Sequence, residues 1–310
     1  MDTNTSNTII PTTTPTPVDD DPKVAAVQRL YAAVARNDLD AILDEVADDV
    51  DWAANAASSS VPWYGPLRGR AGVADFFAAI GSNVEITDFT PLGYAANETD
   101  VMVPVRWSYV VRSTGERAEM TMQHWWRFAE GKIVFFRGAE DSQQSSRAFH
   151  RSSVEGGTSP VDTADGPRGG GAVPGAVLPS DPKVGIVMEM YDAFARQDLP
   201  TILSHLTEDV DWAAEAADAA APWHQAYRGI AEVPGFFGAL GGNVEIGEFV
   251  PVSVTVNETD VMVVVRWSVT AAPTGRPLVQ LLHHWWRFDG ERISWYRGLD
   301  DSEQTAAAFA

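Results

Sequence analysis

The sequence predicts an α+β fold built twice in tandem, each copy having three helices packed on a curved antiparallel sheet. Two observations predict it. Residues 21–149 align with residues 181–309 at a constant offset of 160 with no gap, and 63 of the 129 aligned positions are identical. "DPKV" (Asp21, Asp181), "DVDWAA" (Asp49, Asp209), "NETDVMV" (Asn97, Asn257), "VRWS" (Val105, Val265) and "HWWRF" (His124, His284) all recur in register. That similarity goes far beyond shared composition and marks a duplicated unit. Within each copy, helical periodicity comes first and alternating strand patterns follow, which is the order of an α+β domain.

Each element has a local reason. Asp21 followed by Pro22, and Asp181 by Pro182, give an N-cap with proline at the first helical position. Val24, Val27, Leu30, Tyr31 and Val34 then recur at helical spacing, matched by Val184, Val187, Met190, Tyr191 and Phe194. A second helix follows Asp38, with Leu39, Ile42, Leu43 and Val46 directed inward. A short strand at "DVDW" enters the loop "AANAASSSVPWYGPLRG", and a third helix carries Phe76, Phe77 and Ile80. Strand patterns near 84–94, 100–112, 117–129 and 132–138 are separated by turn signals at "NETD", "STGE" and "AEGK".

These limits define an N-terminal Thr/Pro tail over 1–20, domains over 21–149 and 181–310, and a joining segment over 150–180 rich in Gly, Pro and Ser. Such compositions predict a disordered tail and a flexible linker. The tail has no basic start and no apolar run, so it does not resemble a signal peptide, and no stretch is apolar enough to span a bilayer. A cytoplasmic protein is expected. The net charge of −21 opposes nucleic acid and anionic lipid, and both copies are acidic, so no basic domain is concealed. The absence of cysteine excludes disulfides, thiolate catalysis and Cys-based zinc sites.

Strand parity nominates the site. Along 118–128 the even positions Ala118, Met120, Met122, His124, Trp126 and Phe128 form an apolar face holding one histidine. Trp125 and Arg127 point the other way. In 101–111 the odd face carries Val101, Val103, Val105, Trp107, Tyr109 and Val111, and the even face Met102, Arg106 and Ser108. Both faces look covered, so one should line a cavity and the other should pack on a second sheet. The faces bearing Trp107 and Trp267 are expected to meet as an intramolecular pseudo-dimer, with further homo-oligomerisation left open.

His124 and His284 are the acid/base candidates, because imidazole titrates near neutral pH. Arg106 and Arg266 would meet an anionic group of a ligand, unless they form structural ion pairs with a residue such as Asp51 or Glu85. Trp52, Trp63, Trp126, Ser108 and Tyr31 in the first copy, with Trp212, Trp223, Trp286, Ser268 and Tyr191 in the second, would line a site for a small hydrophobic molecule. His224 and His283 have no histidine counterpart and are set aside, and Arg137 and Arg297 are expected to face outward. "NETD" is a turn, and no phosphate loop or His-x-x-x-His pair is visible, so no cofactor or metal is expected.

Helix, "ND" turn, helix, "DDVDW", a Pro-Trp loop, "RG" and four strands ending "GKI" and "RG" together resemble the SnoaL-like family, part of the nuclear transport factor 2/ketosteroid isomerase superfamily. The resemblance covers nearly all of both copies and implies cone-shaped, cystatin-like barrels. It also implies a cofactor-independent cyclase or isomerase acting on a polyketide-like or terpenoid-like carbonyl compound. A catalytically inert ligand-binding or assembly module, and an epoxide hydrolase-like enzyme with altered residues, are the alternatives. The oxyanion-binding acid of ketosteroid isomerases falls at His124 and His284, and their base near Ala54 and Ala214, beside Asn55 and Glu215. SnoaL-type cyclases match in the histidine, but their aspartate falls at Gly138 and Gly298. The Asp-Arg-Asp set of limonene-type epoxide hydrolases keeps only Arg106 and Arg266, with Ser108, Ser268, Gly138 and Gly298 in place of the acids.

Overall fold

The computed structural model describes residues 21–150, 178–214, 216–217 and 220–310. The expected disordered tail, and residues 151–177 of the expected linker, lie outside them.

The first copy runs α1 (Pro22–Ala35), α2 (Leu39–Glu45), β1 (Val46–Ala54), β2 (Pro66–Arg68), α3 (Gly69–Asn83), β3 (Val84–Pro91), β4 (Ala95–Ala96), β5 (Asp100–Val111), β6 (Arg117–Ala129), β7 (Lys132–Ala139) and α4 (Ser142–Phe149). The second repeats it as α5 (Pro182–Ala195), α6 (Leu199–Ser204), β8 (Leu206–Ala214), β9 (Ala226–Arg228), α7 (Val233–Gly241), β10 (Val244–Val256), β11 (Asp260–Ala271), β12 (Pro277–Asp289), β13 (Arg292–Leu299) and α8 (Ser302–Phe309). The caps form as the sequence requires. Asp21 and Asp181 accept from the backbone N–H of Lys23 and Lys183, each at 2.8 Å. Asp38 accepts from Ala41 N at 3.1 Å. Leu39 departs from the expected inward set and is 39% exposed, whereas Ile42 and Val46 are buried.

Two features were not expected. Each copy ends in a further short helix, α4 or α8, capped by Asp141 or Asp301. "SQQSSRAF" is short and polar, so hydrophobic periodicity could not mark it. The sheet is also not wholly antiparallel, because β1 runs parallel to β7 and β8 parallel to β13.

The strands of both copies join into one sheet through β4 and β10, where Ala96 pairs with Val256. The pleat then assigns the faces. Val101, Val103, Val105, Trp107, Tyr109 and Val111 all point into the barrel core beneath the helices. Trp107 and Trp267 therefore line the barrels, and the faces bearing them do not meet. Contact between the copies is made by the opposite face: Met102 and Trp125 pack with Met262, Val264, Trp285 and Trp295. Because both faces of β5 are apolar, alternation alone could not say which was interior.

Charged groups on that buried face are paired. Asp100 accepts from Trp125 Nε1 at 2.8 Å and from Arg127 at 2.7 and 2.8 Å, and Ser253 of the other copy adds a bond at 2.5 Å. Asp260 holds Trp285 and Arg287 in the same way. Asn97 donates to Val254 O at 2.8 Å, and Asn257 returns a bond to Tyr94 O at 2.9 Å. The "NETD" turn is thus pinned across the copies. Arg137 and Arg297, expected outside, are buried; they pair with Asp51 and Asp211 and lie over the rings of Phe135 and Trp295, 4.2 and 4.4 Å from the centroids.

Candidate functional site

Each barrel encloses a cavity between its helices and the concave side of its sheet. In the first copy, α1 supplies Leu30, Tyr31 and Val34, α3 supplies Phe76 and Phe77, and β6 supplies Met122, His124 and Trp126. Alternation along β6 places His124 and Trp126 on the same side, as expected. Trp52 and Trp63 complete the wall as buried side chains. The second copy repeats the set with Tyr191, Trp212, Trp223, His284 and Trp286.

A three-member relay orients the histidine. Trp126 Nε1, which can only donate, lies 3.4 Å from the Tyr31 hydroxyl, and that hydroxyl lies 2.8 Å from His124 Nδ1. A tyrosine accepting from tryptophan satisfies its own O–H by donating to Nδ1. That bonding leaves the imidazole hydrogen on Nε2. Trp286, Tyr191 and His284 repeat the relay at 3.2 and 2.7 Å. Burial, with the nearby His283 as a smaller contribution, pushes His124 down to about 3, and burial pushes His284 down to about 3 as well. Both rings are therefore neutral at physiological pH. They are suited to donating a hydrogen bond rather than to carrying the charge expected of an acid catalyst.

The expected arginines are elsewhere. Arg106 bonds Asp88 and Arg266 bonds Glu248, on the outer side of the sheet, with side chains 44% and 41% exposed. They occupy the even face of β5 and β11, which the pleat turns away from the cavity, so they cannot stabilise charge inside it. Neither Asp51 nor Glu85 is the partner. Ser108 and Ser268 share that face; Ser108 Oγ bonds Thr87 Oγ1 at 2.9 Å.

Glu140 is a site residue that sequence reasoning missed. It lies just past β7 in the wall of the first cavity, and its Oε1 accepts from Tyr64 at 2.5 Å and Ser145 at 2.8 Å. Burial pushes its carboxyl up to about 7. Its counterpart Asp300 bonds His224, one of the histidines set aside, at 3.1 Å. The only available signal was that position 140 and its aligned partner 300 are both acidic.

The two cavities differ in size. The first has a volume of about 300 Å³, the second about 80 Å³. Val34 is replaced by Phe194, which packs on Phe237 and Phe249 with centroids 5.9 and 5.4 Å away, and Phe136 is replaced by Tyr296. Gly138 and Gly298, at the position of a cyclase aspartate, lie directly opposite His124 and His284 in the sheet. A Cβ at Gly298 would sit 2.5 Å from the Tyr296 hydroxyl, and one at Gly138 would sit 3.1 Å from the Phe136 ring. A side chain at Gly298 would require the Tyr296 ring to move, and one at Gly138 would press on Phe136.

Residues 27–136 and 187–296 match the model of the SnoaL-like domain. The chain belongs to the SnoaL-like family. Each SnoaL-like unit coincides with one barrel, in the nuclear transport factor 2-like α+β fold. Similar solved structures span one unit each. A nuclear transport factor 2-like protein of unknown function from Burkholderia pseudomallei is 23% identical over 42% of this chain and 98% of its own, with a TM-score of 0.39. One from Burkholderia xenovorans is 25% identical over 41% and 95%, also with a TM-score of 0.39. TerC, co-crystallised with polyporic acid, is 20% identical over 42% and 99%, with a TM-score of 0.38. No curated protein matches the chain. Among the described residues, no helix is long and apolar enough to cross a membrane, and no cluster of His, Asp and Glu side chains could hold a metal.

Proposed function

We propose that the first SnoaL-like unit binds one small, mostly apolar molecule carrying a carbonyl oxygen, and that the second unit serves as its packing partner. The observation that carries this is the first cavity, about 300 Å³ and walled by Trp52, Trp107, Trp126 and Phe136, with one neutral histidine in the wall. That volume is at the lower end for small-molecule sites, which run from about 300 to 1,000 Å³. The second cavity, at about 80 Å³, has room for only a few waters. His124 Nε2–H is the donor that orients the carbonyl oxygen, and the aromatic wall supplies the affinity.

Isomerisation or cyclisation of that carbonyl compound without a cofactor is the reaction this arrangement suits. A donor already aimed at the oxygen, set in a mostly apolar wall, stabilises negative charge as it develops there. An inert binding module needs the same cavity but no proton acceptor. Equilibrium binding of 2-tetralone, a bicyclic ketone, followed by quenching of tryptophan fluorescence and by calorimetry, tests the binding. One molecule per chain, weakened about tenfold or more in His124→Ala and unchanged in His284→Ala, is expected. Two equivalent sites, or equal losses from the two variants, would remove the proposal.

A further inference from the structure

We propose that Glu140 is the group that takes a proton from, and returns it to, the ligand in the first barrel. This rests on the carbonyl-ligand reading above. Three observations place it in that role.

Glu140 lies in the same cavity wall as His124. Gly138 pairs with His124 across the β6–β7 ladder, and Glu140 follows two residues later on the same side of the chain. Its carboxyl is held only by uncharged groups. Tyr64 and Ser145 both donate to Oε1, and Tyr109 stands behind Ser145 at 2.9 Å. Among the described residues, no Lys, Arg or His contacts it; the neighbouring charge is Asp141. The Trp63 indole is a further uncharged hydrogen-bonding neighbour of the carboxyl.

The second copy is a built-in comparison. Asp300 occupies the aligned position, but His224 replaces Tyr64, and the two form an ion pair at 3.1 Å reinforced by Thr305 at 2.7 Å. Burial alone would lower His224 and raise Asp300. Their mutual attraction outweighs it and moves each the other way, holding both charged. That carboxylate is locked, and its cavity is narrowed to about 80 Å³. In the first copy the pairing is absent, the cavity is open, and burial lifts the carboxyl to about 7, where both protonation states are populated near neutral pH.

The step balances without a co-reactant. Glu140 carboxylate removes a proton from the carbon beside the carbonyl. The C–H electron pair becomes the C=C bond, and the carbonyl π pair moves to oxygen, which accepts from His124 Nε2–H. Protonated Glu140 then returns the proton to that carbon or to one conjugated with it. Nothing is oxidised or reduced.

The test follows deuterium uptake by 2-tetralone in D2O by proton NMR. The wild-type protein should accelerate exchange over buffer, with a midpoint near pH 7. Glu140→Gln should keep the quenching of tryptophan fluorescence and lose the acceleration at least tenfold. Tyr64→Phe should keep exchange but move the midpoint up, because the tyrosine bond stabilises the carboxylate. Asp300→Asn should behave as wild type. Near-ultraviolet circular dichroism reports whether each variant is folded. Wild-type protein that binds the ketone without accelerating exchange, or Glu140→Gln exchanging as fast as wild type, overturns the assignment and leaves the binding reading intact. Wild-type protein that does not bind removes both.

Discussion

Ser142 donates to Asp301 across the domain boundary at 2.5 Å, and Ser302 returns the bond to Asp141, also at 2.5 Å. Each aspartate also caps its own helix and accepts from a loop N–H of the other copy, Asp301 from Ala57 at 2.7 Å and Asp141 from Ala217 at 2.6 Å. Burial pushes Asp301 up to about 6, and the Ser142 bond holds it from rising further. A carboxyl raised in this way binds its proton more tightly folded than unfolded, so its contribution falls as pH rises from about 4 to 6. Ser142→Ala removes a hydrogen bond to a charged group, worth about 1.5–3 kcal/mol. The variant should lose more stability at pH 8 than at pH 5. Denaturant melts at both values check this; equal losses would mean the bond does not act on the ionised form.

Opening the second cavity should create a second binding site. Phe194→Val with Tyr296→Phe restores the first copy's residues at the two positions that fill it. The cost is about 1–4 kcal/mol of stability from the truncated phenylalanine. Calorimetry with 2-tetralone should then show stoichiometry rising from one toward two. If it stays at one while the fold is intact, the two side chains are not what closes the cavity.

Separating the copies should require Trp125 and Trp285, not Trp107 and Trp267. Trp125 and Trp285 are fully buried between the copies, and their indoles bond Asp100 and Asp260. Truncating each to alanine should cost about 3–5 kcal/mol and leave a buried carboxylate short of a donor. Scattering profiles of the double variant should broaden toward two loosely held lobes. Trp107→Ala with Trp267→Ala should empty the barrels while leaving the overall dimensions unchanged.

His283 should make the protein acid-sensitive. It is fully buried, neither ring nitrogen has a partner among the described residues, and burial pushes it down to about 3. A depressed imidazole stays neutral in the folded state while the unfolded chain takes up a proton. Its contribution is therefore complete above pH 6.5 and is lost as pH falls from there toward 3. The slope is about 1.4 kcal/mol per pH unit for each such histidine, and His124 and His284 add theirs. His283→Gln, the residue at position 123, should make the acid limb shallower by one histidine's share in melts between pH 4 and 6.

The fold was legible because duplication and alternation are properties of single positions. The offset of 160, the Asp caps and the even face of β6 each follow from local spacing. The site was only half legible. His124 and Trp126 came from that parity, Tyr31 from helical spacing, and Trp52 and Trp63 from their place flanking the long loop; all five line the cavity. Arg106 and Ser108 were misplaced because an apolar run on both faces of β5 hides which one is interior. Glu140 was missed because its importance is a matter of what stands near it: an acid becomes unusual when Tyr64, rather than a cation, meets it in the fold. The volumes were out of reach too, since Val34 and Phe194 satisfy the same helical pattern.

Joining the two barrels in one polypeptide has a consequence for how this molecule can change. In a two-fold assembly of identical subunits, one codon would specify both Val34 and Phe194, and any alteration that narrowed one chamber would narrow its twin. Here every structural address exists in duplicate under separate genetic control. One barrel could therefore harden into a buttress, with His224 and Asp300 fastened together, while the other kept its open chamber and its unfastened acid. Covalent joining also keeps the narrowed barrel beside the open one at any dilution, so their pairing does not depend on protein concentration.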